Sequence, residues 1–365
     1  MKAVVIQEFG GPEVLEYRDW PEPEPAADEV LISVRAVTVG RTLDVEVRRR
    51  GADFRVTLPR ILGSDPAGVV VAVGDQVTGF AVGDRVASTS TLFCGECAMC
   101  RAGLENACEH HEALGVHRDG GAAELVAVPE RSVVRIPNHV EFDQAAAMAV
   151  NYPMAWNLLV AAGRLQPGQD VLVMAAAGGL GTAGVLIAKA LGARVIAAAG
   201  AEWKLERLRA ELGVEALVDY SRPDWSEQAR ALTRDGRGAD IVFENISSPE
   251  LFGGSVAALR DYGRLVTCGA HGGGIVEVDM RVLYRRHLAI LGERGASAAM
   301  TREVWRLVAE RRIEPPPVSA RFPLAEAARA HEAAAGRDVF GRVVLLVDPP
   351  YEADGAERAA AAEAG

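Results

Sequence analysis

At 365 residues and 49% hydrophobic content, the chain has enough apolar surface for two cores. Its formal net charge of −11 argues against a polyanionic partner such as nucleic acid, because counterion release needs clustered Lys and Arg and the Arg49-Arg50 run is too short to supply them. The opening Met1-Lys2-Ala3-Val4-Val5-Ile6 lacks the longer apolar core of a signal peptide, and the apolar stretch 171–201 is broken by glycines, Lys189 and Arg194, so a cytoplasmic protein without a membrane partner is expected.

Up to about Pro137, short β-branched runs alternate with Gly, Pro and Asp: Val30-Leu31-Ile32-Ser33-Val34, Val69-Val70-Val71 and Asp84-Arg85-Val86-Ala87. That spacing predicts a mostly antiparallel β domain over 1–140. Within it, over about 92–112, Cys94, Cys97, Cys100 and Cys108 follow C-x2-C-x2-C-x7-C. Four thiolates at this spacing can close a tetrahedron around Zn2+ and leave no open position, which makes the expected zinc structural, one per chain. An iron–sulfur cluster is disfavoured because the last spacing departs from the ferredoxin run and no Pro follows the fourth Cys. His110 and His111 beside Cys108 read as surface residues, since the four thiols already complete a site.

From about Glu141 to 292, strands alternate with helical segments, the pattern of a doubly wound parallel sheet in an α/β Rossmann domain. Strand candidates start at Val171, Arg194, Ala216, Asp240 and Arg264. After the first comes Ala175-Ala176-Ala177-Gly178-Gly179-Leu180-Gly181, then a helical segment 182–191 with Gly192 placed as its cap. Small residues there let amides at a helix N-terminus approach a pyrophosphate, so Gly178, Gly179, Leu180 and Gly181 are assigned to a dinucleotide. An acid at the end of the second strand would bind the ribose hydroxyls and repel a 2′-phosphate. This chain has Ala199-Gly200-Ala201, then Glu202 and Lys204. Gly200, Lys204 and Tyr220 therefore favour NADPH, the competing account being a solvated Lys204 with Glu202 on the ribose. Cys268 at a strand end reads as a packed apolar residue rather than a redox thiol. Segment 293–348 is expected to return to the first domain, and 349–365, rich in Ala, Glu and Gly, to be a flexible tail.

Over nearly the whole chain these features resemble the medium-chain dehydrogenase/reductase superfamily. The resemblance rests on the cysteine lobe, the glycine-rich loop, Gly63-Ser64-Asp65-Pro66-Ala67-Gly68, Val242-Phe243-Glu244-Asn245, Gly263-Arg264-Leu265-Val266 and Phe340-Gly341-Arg342. It implies a GroES-like β domain built from both ends of the chain, a Rossmann domain between, a cofactor in the cleft, and a homodimer or homotetramer joined through the cofactor domains. It further implies backbone contacts from Cys268, Ala270 and Leu291 to the nicotinamide amide and a pyrophosphate contact from Arg342. Where the alcohol dehydrogenase branch holds catalytic zinc, this chain has Arg41, Ser64 and Val150 or Asn151. Arg and Val supply no metal donor, so a catalytic zinc is not expected. The zinc-free quinone oxidoreductase branch is closer, yet its usual Asn-Pro is replaced by Arg41-Thr42.

Without a Lewis acid, a simple ketone loses the stabilisation of its developing alkoxide, whereas hydride addition to an enone, enoyl thioester or quinone spreads charge over an enolate that hydrogen bonds can hold. The expected function is an NADPH-dependent oxidoreductase reducing an activated C=C bond of a small electrophile, with Arg41, Thr42 and Tyr152 as candidate donors. The alternatives are a metal-independent carbonyl reductase or alcohol dehydrogenase, and an inactive NADPH-binding sensor. Arg41 has a structural alternative too, pairing with Asp65 across the vacated metal position. Arg48, Arg49 and Arg50 are open to two accounts, a contact to a CoA-type substrate or a solvated surface run. His271, just after the nicotinamide-side strand, reads as a loop residue that either enters the cleft or faces solvent.

Overall fold

The computed structural model describes residues 1–270 and 272–348. His271 and the expected tail 349–365 lie outside the described residues. The chain divides into two compact units. The first comprises Met1–Val150, Ser297–Ala309 and the segment from Val318 onward, and the second comprises Asn151–Ala296 and Glu310–Pro317.

The first unit is built on antiparallel β structure. Its spine is the strand Glu29–Val39, whose side chains are buried along nearly its whole length. It pairs antiparallel with Ala67–Val73, with Leu125–Pro129 and with the returning strand Arg342–Leu346. Burial on both sides explains why this strand reads as a nearly continuous apolar run rather than an alternating one. A three-stranded sheet, Glu16–Asp19, Lys2–Ile6 and Arg60–Ile61, lies in the same unit. The core between them joins Val4, Val30, Ile32, Val70, Val126, Leu324 and Val343. Helix Phe142–Ala149, opened by a capping box between Glu141 and Gln144, packs on Glu29–Val39. The unit therefore runs to Val150, some residues beyond the texture change seen in the sequence. The returning helix Ala298–Ala309 accepts a cap from the cysteine lobe, Ala298 N donating to Glu105 Oε2 at 3.3 Å.

The second unit is a six-stranded sheet, parallel throughout, in the order Ala216–Asp219, Arg194–Ala199, Asp170–Val173, Ala239–Glu244, Leu259–Thr267, Ala289–Gly292. Numbered along the chain this is 3-2-1-4-5-6, the doubly wound dinucleotide-binding order. Its core gathers Leu172, Ile196, Val218, Val242 and Leu265 from five successive strands. Among the described residues no single helix is long and apolar enough to cross a membrane.

Candidate functional site

In the second unit the site grows from the first strand. Asp170–Val173 ends in a turn whose Ala175 adopts φ 45°, and helix Gly179–Ala190 starts directly after it. The helix thus opens three residues earlier than the sequence suggests, and Gly192, at φ 77°, follows its C-cap. Gly178, the N-cap, is extended, and no side chain caps the first turn. A Cβ on Gly181 would lie 2.1 Å from the Ala175 carbonyl oxygen. Only glycine lets helix and strand approach this closely, which brings the amides of Gly179 and half-buried Leu180 to the strand end.

At the end of the second strand Gly200 is exposed, and a Cβ there would stand 2.6 Å from Tyr220 Cε2. A side chain at 200 would require the Tyr220 ring to shift. Lys204 is half-buried with its ammonium 5.2 Å from the Trp203 ring, and Glu202 is exposed in the first turn of helix Glu202–Leu212. On the other half of the sheet, Cys268 and exposed Ala270 follow strand Leu259–Thr267, and Leu291 lies on the last strand in register with Val266. Burial pushes the Cys268 thiol up to about 12, which fits a packed thiol and not a redox one.

Tyr152 corrects the sequence expectation. It is fully buried, and its hydroxyl donates to the Glu314 carbonyl oxygen at 2.7 Å. Burial also lifts its pKa well above the ordinary phenol value. A hydroxyl enclosed and already committed to a backbone acceptor is a packing group, and the catalytic assignment of Tyr152 fails on that ground.

In the first unit the four cysteines converge. The Sγ atoms of Cys94, Cys97, Cys100 and Cys108 all lie within 4.8 Å of one another, with pairs at 3.6 and 3.9 Å. A tetrahedron with metal–sulfur bonds of about 2.3 Å has edges of about 3.8 Å, so these thiols fit zinc without rearrangement. Amides of Glu96 and Cys97 donate to Cys94 Sγ and that of Cys100 to Cys97 Sγ. These bonds hold the Cys94 thiol below its ordinary value and bring that of Cys97 down to about 6, while burial pushes Cys100 up to about 12. A bound dication would offset that last penalty.

A second polar cluster gathers Thr38, Asp44, Asp65 and Arg342. Asp65 accepts from Thr38 N at 3.0 Å, from Thr38 Oγ1 at 2.6 Å and from Arg342 Nη2 at 2.6 Å. Asp44 accepts from Gly40 N at 2.6 Å and from Gly63 N at 2.9 Å. Both carboxyls are buried. Burial, with the Asp65 charge adding to it, pushes Asp44 up to about 7; burial also raises Asp65, against the pull of Arg342. The pairing of Arg41 with Asp65 is therefore corrected. Arg342 takes that place, and Arg41 and Thr42 are exposed at the start of the π-helix Arg41–Glu46. Arg48 is likewise no solvated surface residue: it is buried, with Nε donating to the Gly10 carbonyl at 3.2 Å, while Arg49 and Arg50 pair with Glu46 and Asp53.

Sequence reasoning passed over Asp44 as part of this cluster and Glu244 as more than a motif letter. For Glu244 the local signal was an acid closing the apolar run Ile241-Val242-Phe243; Asp44, between Thr42 and Glu46, carried none.

A family model for the alcohol dehydrogenase GroES-like domain matches residues 26–138, and one for zinc-binding dehydrogenases matches residues 179–310. The quinone oxidoreductase of Pseudomonas aeruginosa is 32% identical over 357 residues, covering 94% of this chain and 99% of its own. Among solved structures, an NAD-dependent alcohol dehydrogenase superposes with a TM-score of 0.89 at 41% identity, over 95% of this chain and all of that one. The 2-octenoyl-CoA carboxylase reductase CinF, in complex with NADP and 2-octenoyl-CoA, superposes with a TM-score of 0.86 at 26% identity, over 98% of this chain and 91% of its own. The order of the parallel sheet, the glycine-rich turn and these matches agree: the chain is an oxidoreductase that belongs to the medium-chain dehydrogenase/reductase superfamily.

Proposed function

We propose that the protein is an NADPH-dependent reductase that transfers hydride to an activated C=C bond of an enone, enoyl thioester or quinone, with a structural zinc in the cysteine lobe and no catalytic metal. The observation that carries the metal-free reading is the donor set. Among the described residues, the four cysteines are the only group of three or more His, Cys, Asp or Glu side chains placed to hold an ion. Arg41 and Val150 offer no lone pair to a cation, and Asp65 is committed to Arg342 and Thr38. Likeness to a quinone oxidoreductase and to a 2-octenoyl-CoA carboxylase reductase solved with NADP and 2-octenoyl-CoA supports the same substrate class.

NADPH, when bound, supplies the hydride. The chain's own groups cradle, select and polarise. First-turn amides after Gly178 hold the pyrophosphate, Gly200 and Tyr220 leave the ribose edge free of an acid, and Lys204 offers an ammonium to the 2′-phosphate. The family resemblance would give Arg342, held on Asp65, a pyrophosphate contact and would have Cys268, Ala270 and Leu291 offer backbone groups to the carboxamide. Hydride adds to the β-carbon of the substrate, the π electrons move to its carbonyl oxygen, and a proton from solvent completes the α-carbon. Arg41 and Thr42 are the candidate donors to that oxygen, because both side chains are exposed. The homodimer or homotetramer that the family resemblance implies would be joined through this unit, which has the edge strand Ala289–Gly292 and exposes Tyr262, Ile275, Met280 and Tyr284.

A carbonyl reductase or alcohol dehydrogenase acting without metal is the second reading, favoured by the 41% identity to an NAD-dependent alcohol dehydrogenase. Oxidation of NADPH and of NADH is to be followed with an α,β-unsaturated ketone and with its saturated analogue, and the products identified. Reduction confined to the C=C bond with NADPH is expected. Carbonyl reduction of both ketones, or a preference for NADH, would overturn the corresponding part of the proposal.

A further inference from the structure

The fourth strand of the parallel sheet, Ala239–Glu244, lies beside the first, where the strand order reverses. In doubly wound sheets a dinucleotide crosses at that point, with one mononucleotide over each half of the sheet. The glycine-rich turn and Gly200 belong to the first three strands, so the nicotinamide half falls to the last three.

Glu244 ends the fourth strand and is fully buried. Its Oε1 accepts from Ile246 N at 2.7 Å and from Ser247 N at 3.1 Å, while Oε2 is buried without a hydrogen-bond partner. An ionised carboxylate with one enclosed, unsatisfied oxygen is costly, and the un-ionised acid lowers that cost by removing the charge. Burial raises the Glu244 carboxyl accordingly. Ser247 stands at φ 52°, a conformation that a non-glycine residue keeps only where its surroundings over-determine it. The turn is then tied to the loop that follows the fifth strand. Gly272 N donates to the Ile246 carbonyl at 2.7 Å and Gly274 N to the Ser247 carbonyl at 3.3 Å, and the Ser247 and Thr267 hydroxyls lie 3.4 Å apart. A Cβ on Gly269 would come within 2.5 Å of the Asn245 carbonyl oxygen, so the two loops pack backbone to backbone.

We infer that Glu244 is a positioning residue for the nicotinamide half-site: its Oε1 fixes the strained turn after the fourth strand, and that turn fixes the loop after the fifth, which carries Cys268 and Ala270. It does so as the un-ionised acid, with the proton on Oε2. The inference rests on the dinucleotide reading proposed above and adds to it a residue outside the glycine-rich loop.

The test is calorimetric titration of NADPH, NADH and 2′,5′-ADP, a fragment that lacks the nicotinamide half, against wild type, Glu244→Gln, Glu244→Ala and Glu244→Asp. Glu244→Ala and Glu244→Asp are expected to bind NADPH about tenfold or more weakly and 2′,5′-ADP unchanged, through loss of the two amide acceptor bonds. Glu244→Gln keeps an acceptor and a neutral donor and is expected to match wild type. Wild-type affinity for NADPH in Glu244→Ala or Glu244→Asp would overturn the inference, as would parallel weakening of NADPH and 2′,5′-ADP, the mark of a general fold defect. Weakening in Glu244→Gln equal to that in Glu244→Ala would overturn the un-ionised form. Failure of the dinucleotide reading is told apart from all of these by the wild-type titration alone, in which neither NADPH nor NADH would bind.

Discussion

The first unit holds two dense clusters of ionisable side chains, and they are built in opposite ways. The cysteine lobe draws its four thiols from one short segment and aims backbone amides at the sulfurs, so charge is gathered for a cation the chain does not itself supply. The Thr38–Asp44–Asp65–Arg342 cluster draws on four separated stretches and supplies its own cation, Arg342. The first arrangement is poised for a metal; the second is closed by an internal ion pair and leaves its carboxylates no free role as ligands. One unit thus carries both a thiol set whose geometry fits a metal and an acidic cluster that an arginine of the same unit closes.

The sharpest way to break this comparison is Cys108→Ser. Zinc content by elemental analysis is expected to fall from about one per chain to none, with Tm lowered on the order of 10 °C. A chain that purifies without zinc and keeps its Tm would put the lobe in the same self-sufficient class as the other cluster. Arg342→Met comes next. Removing the cation leaves Asp65 buried and unpaired, and urea unfolding is expected to show a loss of about 3–5 kcal/mol, part of which returns in the Arg342→Met/Asp65→Asn double variant. A loss below about 1 kcal/mol would mean that the ion pair does not hold the cluster.

A smaller effect is expected from pH. The Asp44 carboxyl titrates near 7 in the folded chain and near the ordinary carboxylate value of 3.8 when unfolded. Between those values folding takes up a proton, so this group's contribution to stability is largest below the lower value and declines as pH rises through the upper one. Asp44→Asn removes that slope while losing about 1 kcal/mol of hydrogen bonding at low pH. Wild-type stability relative to the variant should therefore fall steadily from pH 4 to pH 7 and change sign, the variant becoming the more stable, and a difference constant with pH would contradict the assignment. The smallest stability change belongs to Arg41→Met, expected within about 0.5 kcal/mol because the side chain is exposed. Its turnover of a good enone should nonetheless fall about a hundredfold if Arg41 donates to the developing oxyanion. Near-normal turnover would remove Arg41 from the proposed mechanism.

Much of this molecule is local in origin. The glycine-rich turn was legible because a phosphate cradle needs small residues at consecutive positions between a strand and a helix, and the structure builds that turn from 178–181. The cysteine lobe was legible because tetrahedral closure by sulfur from one short segment restricts spacing to a few residues. Tyr152 misled for the converse reason. A tyrosine beside a vacated metal position looks like a proton donor until the Glu314 carbonyl, 162 positions away, is found on its hydroxyl. The partner of Asp65 was hidden in the same way: Arg41, nearer to it in sequence, is exposed, and Arg342, 277 positions from Asp65, closes the pair.

The α/β class, the glycine-rich turn, the acid-free end of the second strand and the thiol set could be read from the chain alone, each encoded within a few neighbouring residues. The fold was needed to show which buried acids meet which cation, that Tyr220 lies against Gly200, and that Glu244 bonds the turn after its strand with one oxygen left over. Those outcomes depend on desolvation and on contacts between distant segments, and neither is written in the spacing of residues along the chain.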